Sequence, residues 1–334
     1  MRLVAIVPAY NAAEELRVCL PALVRAGVAQ SDIVVVDDAS DDGGATAAVA
    51  QAHTVDVIRH ASCRGPAAAR NTGAAATHAD ILLFVDADVV VAPDARARVL
   101  QHMAERPELD GVFGAYDADP AAPGLVSRYR NLLHHYVHQQ GAGEASTFWS
   151  GLGAVRRQAF LAVGGYDPAH RYLEDVDLGM RLCTKGFRLW LDPALQGKHL
   201  KHWSLGNMIS TDLHGRARPW ARLLARNETP SRALNLGLAN RLSVMATGIA
   251  GLSLASMWLA PAIGAITLAL ALATVLALNA SLFRFLAHNS GVGFAIGAFP
   301  VHLLHLVCGG IGFAWGTLEA RREMRAQAKA VART

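Results

Sequence analysis

The sequence has little charge. Asp, Glu, Lys and Arg make up 17% of its 334 residues, whereas they form about a quarter of a typical soluble domain. The deficit lies in one place, because Arg284 is the only formally charged residue between positions 242 and 318. The sequence therefore predicts a soluble domain joined near residue 240 to a membrane-embedded tail, and it excludes a wholly soluble or disordered chain.

The globular part also lacks a basic surplus. Residues 1–197 carry 17 basic and 23 acidic side chains, whereas the segments 198–232 and 319–334 have net charges of +5 and +3. An acidic domain excludes nucleic acid as a partner. Positive charge beside an apolar tail instead favours contact with anionic lipid headgroups.

Paired metal-ligating cysteines are missing. The four cysteines show no CxxC or zinc-like spacing, and we interpret them as reduced, mostly buried thiols of a cytosolic domain: Cys19, Cys63, Cys183 and Cys308. Residues 3–7 are apolar but reach Tyr10 and Asn11 within a few positions. We therefore expect them to form the first strand and not a signal peptide.

The common cofactor motifs are absent as well. The first apolar run ends in Pro8-Ala9-Tyr10-Asn11, without a GxGxxG dinucleotide loop or a GxxxxGK phosphate loop, which disfavours a dehydrogenase or another nucleotide-using enzyme of that kind. HExxH is missing too. The histidines of HHYVH (His134, His135, His138) could meet on one helix face, where a plain polar face is favoured over a metal site.

Short apolar runs alternate with helical patterns in the first hundred residues. The predicted strands cover 3–7, 32–38, 55–60 and 81–88, and the predicted helices cover 12–26, 43–52 and 66–78. This alternation predicts an α/β fold with a doubly wound, mostly parallel sheet, whose ligand site lies at the carboxyl ends of the strands. Polar residues collect at those ends.

Asp86 and Asp88 follow the fourth predicted strand. Two carboxylates separated by one residue at a strand end can hold Mg²⁺ or Mn²⁺, which would stabilise a leaving diphosphate; the alternative is a pair of solvated loop aspartates. Asp38, in the pair Asp37-Asp38, can accept a hydrogen bond from a nucleobase or ribose, or it can cap a helix.

Three further side chains are candidates for nucleotide binding. Tyr10 can stack on a base, or it can be a partly buried tyrosine at the strand end. Arg64 and Arg70 flank the start of an Ala-rich helix, where N–H groups and guanidinium favour a diphosphate. Arg70 could instead pair internally with an aspartate.

Six motifs in order resemble a known family. They are VPAYN (7–11), VVDDAS (35–40), ARNTG (69–73), FVDAD (84–88), GGYD (164–167) and LEDVDLGMRL (173–182). From residue 1 to about 203 the chain resembles family 2 glycosyltransferases of GT-A fold, in particular bacterial membrane-bound members with a carboxy-terminal helical tail. The resemblance implies a nucleotide-diphosphate sugar donor, a divalent metal on the DxD motif and inversion at the anomeric carbon.

The resemblance also implies roles for residues. Pro8, Tyr10 and Asp38 would contact the nucleoside, Asp86 the ribose or sugar, and Asp88 the metal, with Asp86 as a second ligand. Asn11, Arg64 and Arg70 complete the expected donor site.

Glu174-Asp175 matches the acidic acceptor-side motif and implies Asp175 as general base, which a hydroxyl acceptor requires and a lipid phosphate does not. An acidic first turn of a helix is the alternative for this pair.

One motif departs from the processive relatives, which carry Gln-x-x-Arg-Trp. This chain has His199-Leu-Lys-His202-Trp203, and histidine cannot reproduce a guanidinium fork. We therefore expect transfer of a single sugar. The expected acceptor-side residues are Trp149, Ser150, Gly151, His202 and Trp203, where Trp149 could instead be core and Trp203 a membrane-interface anchor.

The predicted organisation has four parts: a GT-A domain (1–205), basic interfacial helices (206–241), about three transmembrane helices (242–318) and a basic tail (319–334). The apolar stretches 243–260, 262–283 and 294–316 are each long enough to cross a bilayer. Three crossings would place the two basic flanks on opposite sides, against the charge rule. An even number, or a third segment that only dips into the membrane, would remove this conflict.

The sequence thus predicts a multi-pass enzyme of the inner membrane with a cytoplasmic catalytic domain. It would transfer one sugar from a UDP-sugar, or less favourably a GDP-sugar, to a lipid or lipid-linked acceptor of the cell envelope. A homo-oligomer is compatible with this prediction. The alternatives are a polyprenyl-phosphate glycosyltransferase that needs no base, and a non-catalytic membrane partner with a degenerate transferase domain.

Overall fold

The structure, a computed structural model, describes residues 1–225 and 237–331, with side chains to residue 326. The chain divides into two compact units. The first comprises residues 1–122 and 137–201, and the second comprises residues 123–136 together with the described residues after 201. The predicted boundary near 205 lies close to this division. Segment 123–136 departs from the predicted domain of residues 1–205, because it groups with the second unit.

A mixed sheet of nine strands forms the first unit among the described residues. The strands are β1 (Leu3–Ala9), β2 (Ile33–Asp37), β3 (Asp56–Arg59), β4 (Ile81–Val85), β5 (Val89–Val91), β6 (Gly111–Tyr116), β7 (Gly143–Ala145), β8 (Leu152–Arg156) and β9 (Leu189–His199). Their order is β3-β2-β1-β4-β8-β6-β9-β5, with β7 beside β9. The first four strands are parallel, as the sequence predicted, and β8 then runs antiparallel to β4.

Seven α-helices accompany the strands between residues 1 and 201. They are α1 (Ala13–Arg25), α2 (Ala45–Ala52), α3 (Pro66–Ala75), α4 (Ala95–Glu105), α5 (Leu125–Gln140), α6 (Arg157–Ala162) and α7 (Glu174–Thr184). Leu16, Leu20 and Leu23 of α1 are fully buried because their spacing places them on one helix face. Gly73 of α3 lets the helix approach β1, since a Cβ there would lie 2.4 Å from the Ile6 side chain.

The second unit is helical. After the first turns of α5 it contains α8 (Leu205–Ser210), a π-helical segment (Thr211–Ala217), α9 (Arg218–Ala225), α10 (Leu238–Ser256), α11 (Pro261–Leu278), α12 (Ala280–Ser290) and α13 (Val292–Val331). Within the described residues, three helices are long and apolar enough to cross a membrane: α10, α11 and residues 292–326 of α13. An α/β domain followed by an all-helical region is the predicted fold class, and it is confirmed.

The two predicted basic segments are largely helical where the structure describes them. Residues 319–331 continue α13. In the segment 206–241, the described residues divide between α8, the π-helical segment, α9 and the start of α10. Arg226 and the remainder of its stretch to residue 236 lie outside the described residues, as do residues 332–334.

Candidate active site

The site lies at the carboxyl ends of β1, β2 and β4. The register pairs Ala9 with Asp37, and β4 runs alongside β1 in the same direction. Because parallel strands end at one edge of the sheet, the residues that follow them leave at the same edge. The sequence predicted this grouping, and the structure has it.

The end of β1 is tied to the end of β2. The Asn11 backbone N–H donates to Ser40 Oγ (2.9 Å). Asn11 Nδ2 donates to Asp41 Oδ1, and the Asp41 backbone N–H donates to Asn11 Oδ1 (2.9 Å). Asn11 adopts a left-handed conformation with φ 51°, which this network stabilises. Tyr10 is 49% exposed, so its ring has a free face at this edge, whereas Pro8 is half-buried within β1.

Asp38 is buried and organises the loop before α3. Its carboxylate accepts hydrogen bonds from the backbone N–H groups of Arg64 (2.9 Å) and Gly65 (2.7 Å), and His60 Nδ1 lies 2.6 Å from it. Burial alone would raise the pKa of Asp38, but these bonds hold it below its usual range. No motif in the sequence indicated His60, whose other ring nitrogen lies 2.9 Å from Thr72 Oγ1.

The two arginines differ in position. Arg64 is exposed and contributes its backbone N–H to Asp38. Arg70 is buried, and its guanidinium donates to Asp86 Oδ1 (2.6 Å) and to Glu174 Oε1 (2.8 Å). This is the internal pairing that the sequence left open, and it connects the end of β4 to the start of α7.

Asp86 and Asp88 are each about one-third exposed, at 32% and 30% of their side chains. Burial and the carboxylate of Asp88 raise the pKa of Asp86, although Arg70 opposes the rise. Burial would also raise the pKa of Asp88, but a contact of 3.3 Å from His199 Nε2 lowers it. The His199 ring stacks on Tyr116 with centroids 4.2 Å apart.

The carboxylates of Asp86 and Asp88 suit a hard divalent cation. Among the described residues no group of three or more His, Cys, Asp or Glu side chains surrounds a common point. Mg²⁺ is commonly bound by one or two carboxylates together with phosphate oxygens of the substrate. Asp86 keeps one carboxylate oxygen outside its bond to Arg70, and Asp88 has His199 at its side. The residues therefore fit Mg²⁺ or Mn²⁺ held jointly with a diphosphate.

Glu174 and Asp175 begin α7, after Leu173 in a left-handed conformation (φ 60°). Asp175 Oδ1 accepts from the Val176 N–H (2.8 Å), and the Ser150 N–H lies 3.4 Å from Oδ2. Burial and the neighbouring Glu174 carboxylate raise the pKa of Asp175 to about 7. A carboxyl group with this pKa can accept a proton at neutral pH.

Ser150 and Gly151 lie between the two carboxylate pairs. The Asp86 N–H donates to the Gly151 carbonyl (3.2 Å), one residue after the Ser150 contact with Asp175. A Cβ at Gly151 would fall 2.4 Å from the Trp149 ring. Trp149 packs edge-on against Tyr116 and is half-buried. These expected acceptor-side residues are therefore joined directly to the predicted donor and base residues.

The other expected acceptor residues begin the second unit. His202 is exposed, whereas Trp203 is buried and donates its backbone N–H to Ser127 Oγ (3.1 Å). The guanidinium of Arg130 lies 5.3 Å from the Trp203 ring. A buried ring is typical of a packing residue, and a sugar platform needs an open face.

The histidines of HHYVH occupy separate environments. His138 Nδ1 lies 2.9 Å from the Gly114 carbonyl in the first unit, and His135 stacks on Phe285 in the second. The described residues give them no common ligand position.

Residues 4–164 match the sequence profile of "Glycosyl transferase family 2". An uncharacterized glycosyltransferase of Haemophilus influenzae is 28% identical over 193 residues, which cover 54% of this chain and 61% of that protein. The pre-mycofactocin glycosyltransferase of Mycobacterium tuberculosis is 32% identical over 187 residues, 53% of this chain and 39% of its own length. The chain thus matches less than two-thirds of the length of either relative.

Similarity to a solved structure covers more of the chain. The mannosyltransferase PcManGT of Pyrobaculum calidifontis, solved with GDP-Man and Mn²⁺, aligns with 94% of this chain and 87% of its own at a TM-score of 0.56 and 20% identity. At this identity the similarity shows the fold, which is GT-A.

Proposed function

We propose, from the match of residues 4–164 to the profile of glycosyltransferase family 2, that the protein transfers one sugar from a UDP-sugar to a lipid-borne acceptor, with inversion at the anomeric carbon. One observation carries the proposal: Arg70 joins Asp86 to Glu174, and Ser150-Gly151 join Asp86 to Asp175. The candidate metal-binding carboxylate and the candidate base thereby share one hydrogen-bonded frame.

The donor would bind at the ends of β1, β2 and β4. The exposed ring of Tyr10 would stack on the base, and the loop held by Asp38 would contact the nucleoside. Asp86 and Asp88 would hold Mg²⁺ or Mn²⁺ against the diphosphate, and the bound PcManGT supports this arrangement because it contains Mn²⁺ in the same fold. The cation would offset the negative charge that the diphosphate gains as it leaves.

Asp175 would act as the base of a single displacement. The acceptor hydroxyl oxygen forms the new bond to the anomeric carbon while the bond to the diphosphate oxygen breaks. The hydroxyl proton passes to the Asp175 carboxylate, and the nucleoside diphosphate leaves with the bonding electron pair. Since attack and departure occur on opposite faces of the carbon, its configuration inverts.

The apolar helices support a lipid-borne acceptor. A soluble acceptor does not require attachment to a membrane, whereas a lipid-linked one is available only at its surface. The three helices that are long and apolar enough to cross a bilayer would provide this attachment. We place the catalytic domain at the cytoplasmic face of the inner membrane, where nucleotide sugars are available.

Binding of UDP tests the donor site. We expect UDP to bind the detergent-purified protein in calorimetry with Mn²⁺ present, and we expect Asp88→Asn to lose this metal-dependent binding. Asp94→Asn is the matched control, because Asp94 bonds Arg98 at the surface of α4, six residues along the chain. Binding of GDP but not UDP would change the donor class. Absence of binding with UDP, GDP and dTDP would contradict the transferase function and favour a degenerate domain.

A further inference from the structure

The helices α10 and α11 form an apolar hairpin. They contain 19 and 18 residues, or about 28 Å of helix, close to the ~30 Å of a bilayer core. Trp258 and Leu259 at the turn are 91% and 92% exposed. At the open end, Asn279 Nδ2 donates to Ser243 Oγ (2.9 Å). Because apolar side chains point outward along the hairpin, its natural surroundings are lipid.

The third apolar helix, α13, contacts this hairpin at its open end. Ala246, near the start of α10, and Val275, near the end of α11, form one buried cluster with Leu306 of α13. A Cβ at Gly310 would lie 2.9 Å from Val244. A third crossing helix would pack along the whole hairpin, whereas these contacts place the middle of α13 across its base.

A buried ion pair lies against the middle of α13. Arg130 Nη2 and Asp212 Oδ1 are 2.6 Å apart, and His305 Nδ1 lies 2.7 Å from the other carboxylate oxygen. Burial would raise the pKa of Asp212, but His305 and Arg130 lower it to about 2, so the carboxylate is ionised. Ionised groups at the bilayer centre are costly, and this pair would sit there if α13 crossed the membrane.

Charged side chains also accompany both ends of α13. The Arg128 guanidinium lies 4.8 Å from the Phe294 ring, and Arg222 Nη2 is 2.8 Å from Glu323 Oε1. Phe294 and Glu323 are about 44 Å apart along the helix at 1.5 Å per residue. Charges therefore follow α13 at its start, middle and end, which suits a helix lying in the plane of the membrane surface.

The pairing of α9 with α13 fixes the side on which each lies. Arg218 pairs with Glu319 (2.7 Å) and Arg222 with Glu323, so the two helices run in the same direction side by side. Both segments must then lie on one side of the bilayer. The chain between residues 225 and 319 consequently crosses an even number of times.

One face of α13 is apolar and exposed. Five of its exposed apolar residues lie within an arc of about 100° when each residue advances the helix by about 100°. They are Val292, Ile296, Val307, Ile311 and Leu318. A helix with such a stripe on one side and charged partners on the other lies at the boundary between headgroups and acyl chains.

We propose that the lipid bilayer binds two surfaces of this tail: the α10–α11 hairpin crosses it, and α13 lies along its surface on the apolar stripe. The described helices of the tail then cross twice, and the described parts of the basic segments, residues 202–225 and 319–331, lie on one side, as the charge rule requires. The inference rests on the proposed attachment to a membrane and not on the identity of the donor.

Cysteine labelling in sealed inside-out vesicles tests the topology. One variant retains Cys63, which is exposed in the first unit, as its single cysteine. Three further variants lack all four native cysteines and carry one new cysteine in place of His288, Leu259 or Ala326. An impermeant maleimide is added outside the vesicles. We expect His288→Cys and Ala326→Cys to react from the face at which Cys63 reacts. We expect Leu259→Cys to react only after the vesicles are opened.

Each other pattern overturns the proposal. Reaction of positions 288 and 326 from opposite faces would mean that α13 crosses. Reaction of all three from one face would mean that the hairpin does not cross.

As a second measurement, Arg218→Glu should lower the Tm, and adding Glu319→Arg should restore much of the loss. Failure of that rescue would remove the pairing on which the even number rests. UDP binding is measured separately, so failure of the donor proposal is distinguishable.

Discussion

Arg70 holds the two acidic parts of the site at a fixed separation. Its guanidinium is buried between Asp86 and Glu174, with the ring of Tyr166 5.4 Å away. Lysine could not make these two bonds in the same way, since it lacks a planar fork with two bonding edges. The residue acts through the carboxylates it positions.

Arg70→Met should destabilise the first unit by about 3–5 kcal/mol, because two partly buried carboxylates would lose their cation. The measurement is the thermal unfolding of the first unit in the two proteins. Arg98→Met is the matched control, since Arg98 pairs with Asp94 at the surface and such a pair contributes about 0.3–0.5 kcal/mol. Equal losses in the two variants would contradict the role given to Arg70.

Asp175→Asn should lower kcat by about 10²–10⁴-fold if the acceptor is a hydroxyl, since the isosteric amide cannot accept the proton. The pKa of about 7 sets the pH profile. The base is active when ionised, so kcat/KM of the unmodified protein should rise with pH through about 7 and then level off. The variant should lack this rise while UDP binding stays unchanged.

A small effect of Asp175→Asn would point to an acceptor that is already ionised, such as a lipid phosphate. That outcome would favour the polyprenyl-phosphate alternative over the hydroxyl acceptor and would leave the donor site intact.

At the scale of elements, α9 and α13 pack closely because small residues face each other. A Cβ at Gly316 would lie 2.3 Å from the Arg218 carbonyl oxygen and 2.9 Å from Ala221 Cβ. Such approach of two backbones is typical of small-residue helix contacts near membranes. It places the Arg218–Glu319 pair within bonding distance.

Gly316→Leu should force α9 away from α13 and lower the Tm, by the equivalent of about 1–3 kcal/mol for an overpacked contact. Gly309→Leu is the control, because a Cβ at Gly309 meets no atom within 4 Å. Differential scanning fluorimetry of both variants in detergent makes the comparison. A greater loss for Gly309→Leu would show that the contact at Gly316 is not close.

At the scale of the whole molecule, the proposed attachment to a membrane would depend on apolar burial more than on charge. Two of the basic side chains expected to bind headgroups, Arg218 and Arg222, are engaged by Glu319 and Glu323. The hairpin, in contrast, has exposed apolar side chains along both helices.

We therefore expect the protein to stay in the membrane pellet after washes with about 1 M NaCl, which screens surface charge, and with alkaline carbonate. Replacing Arg321, Arg322 and Arg325 by glutamine should not release it. The measurement is the fraction recovered in the pellet and the supernatant. Release by salt alone would mean that charge holds the protein to the membrane.

The local pattern of the chain determined much of this molecule. Apolar runs that end in polar residues predicted β1, β2 and β4 and the edge where the site lies, because strand burial and strand ends are properties of short segments. The stretch after residue 242, in which Arg284 is the only charged residue before position 319, predicted the apolar helices, since lipid excludes charged side chains. The order of six motifs predicted the resemblance to family 2 glycosyltransferases, whose profile residues 4–164 match, and the fold class followed from it.

Only the tertiary structure decided which of several partners each polar residue has. Arg70 could bind diphosphate or a carboxylate, and packing placed it between Asp86 and Glu174. Glu174 lies 104 residues after Arg70 in the sequence. His199 lies beside Asp88 because β9 pairs with β5. Segment 123–136 joined the helical unit, and α9 met α13, through contacts between distant segments. Such contacts depend on how surfaces fit once the elements have formed, and that fit is not encoded in the pattern of any one segment.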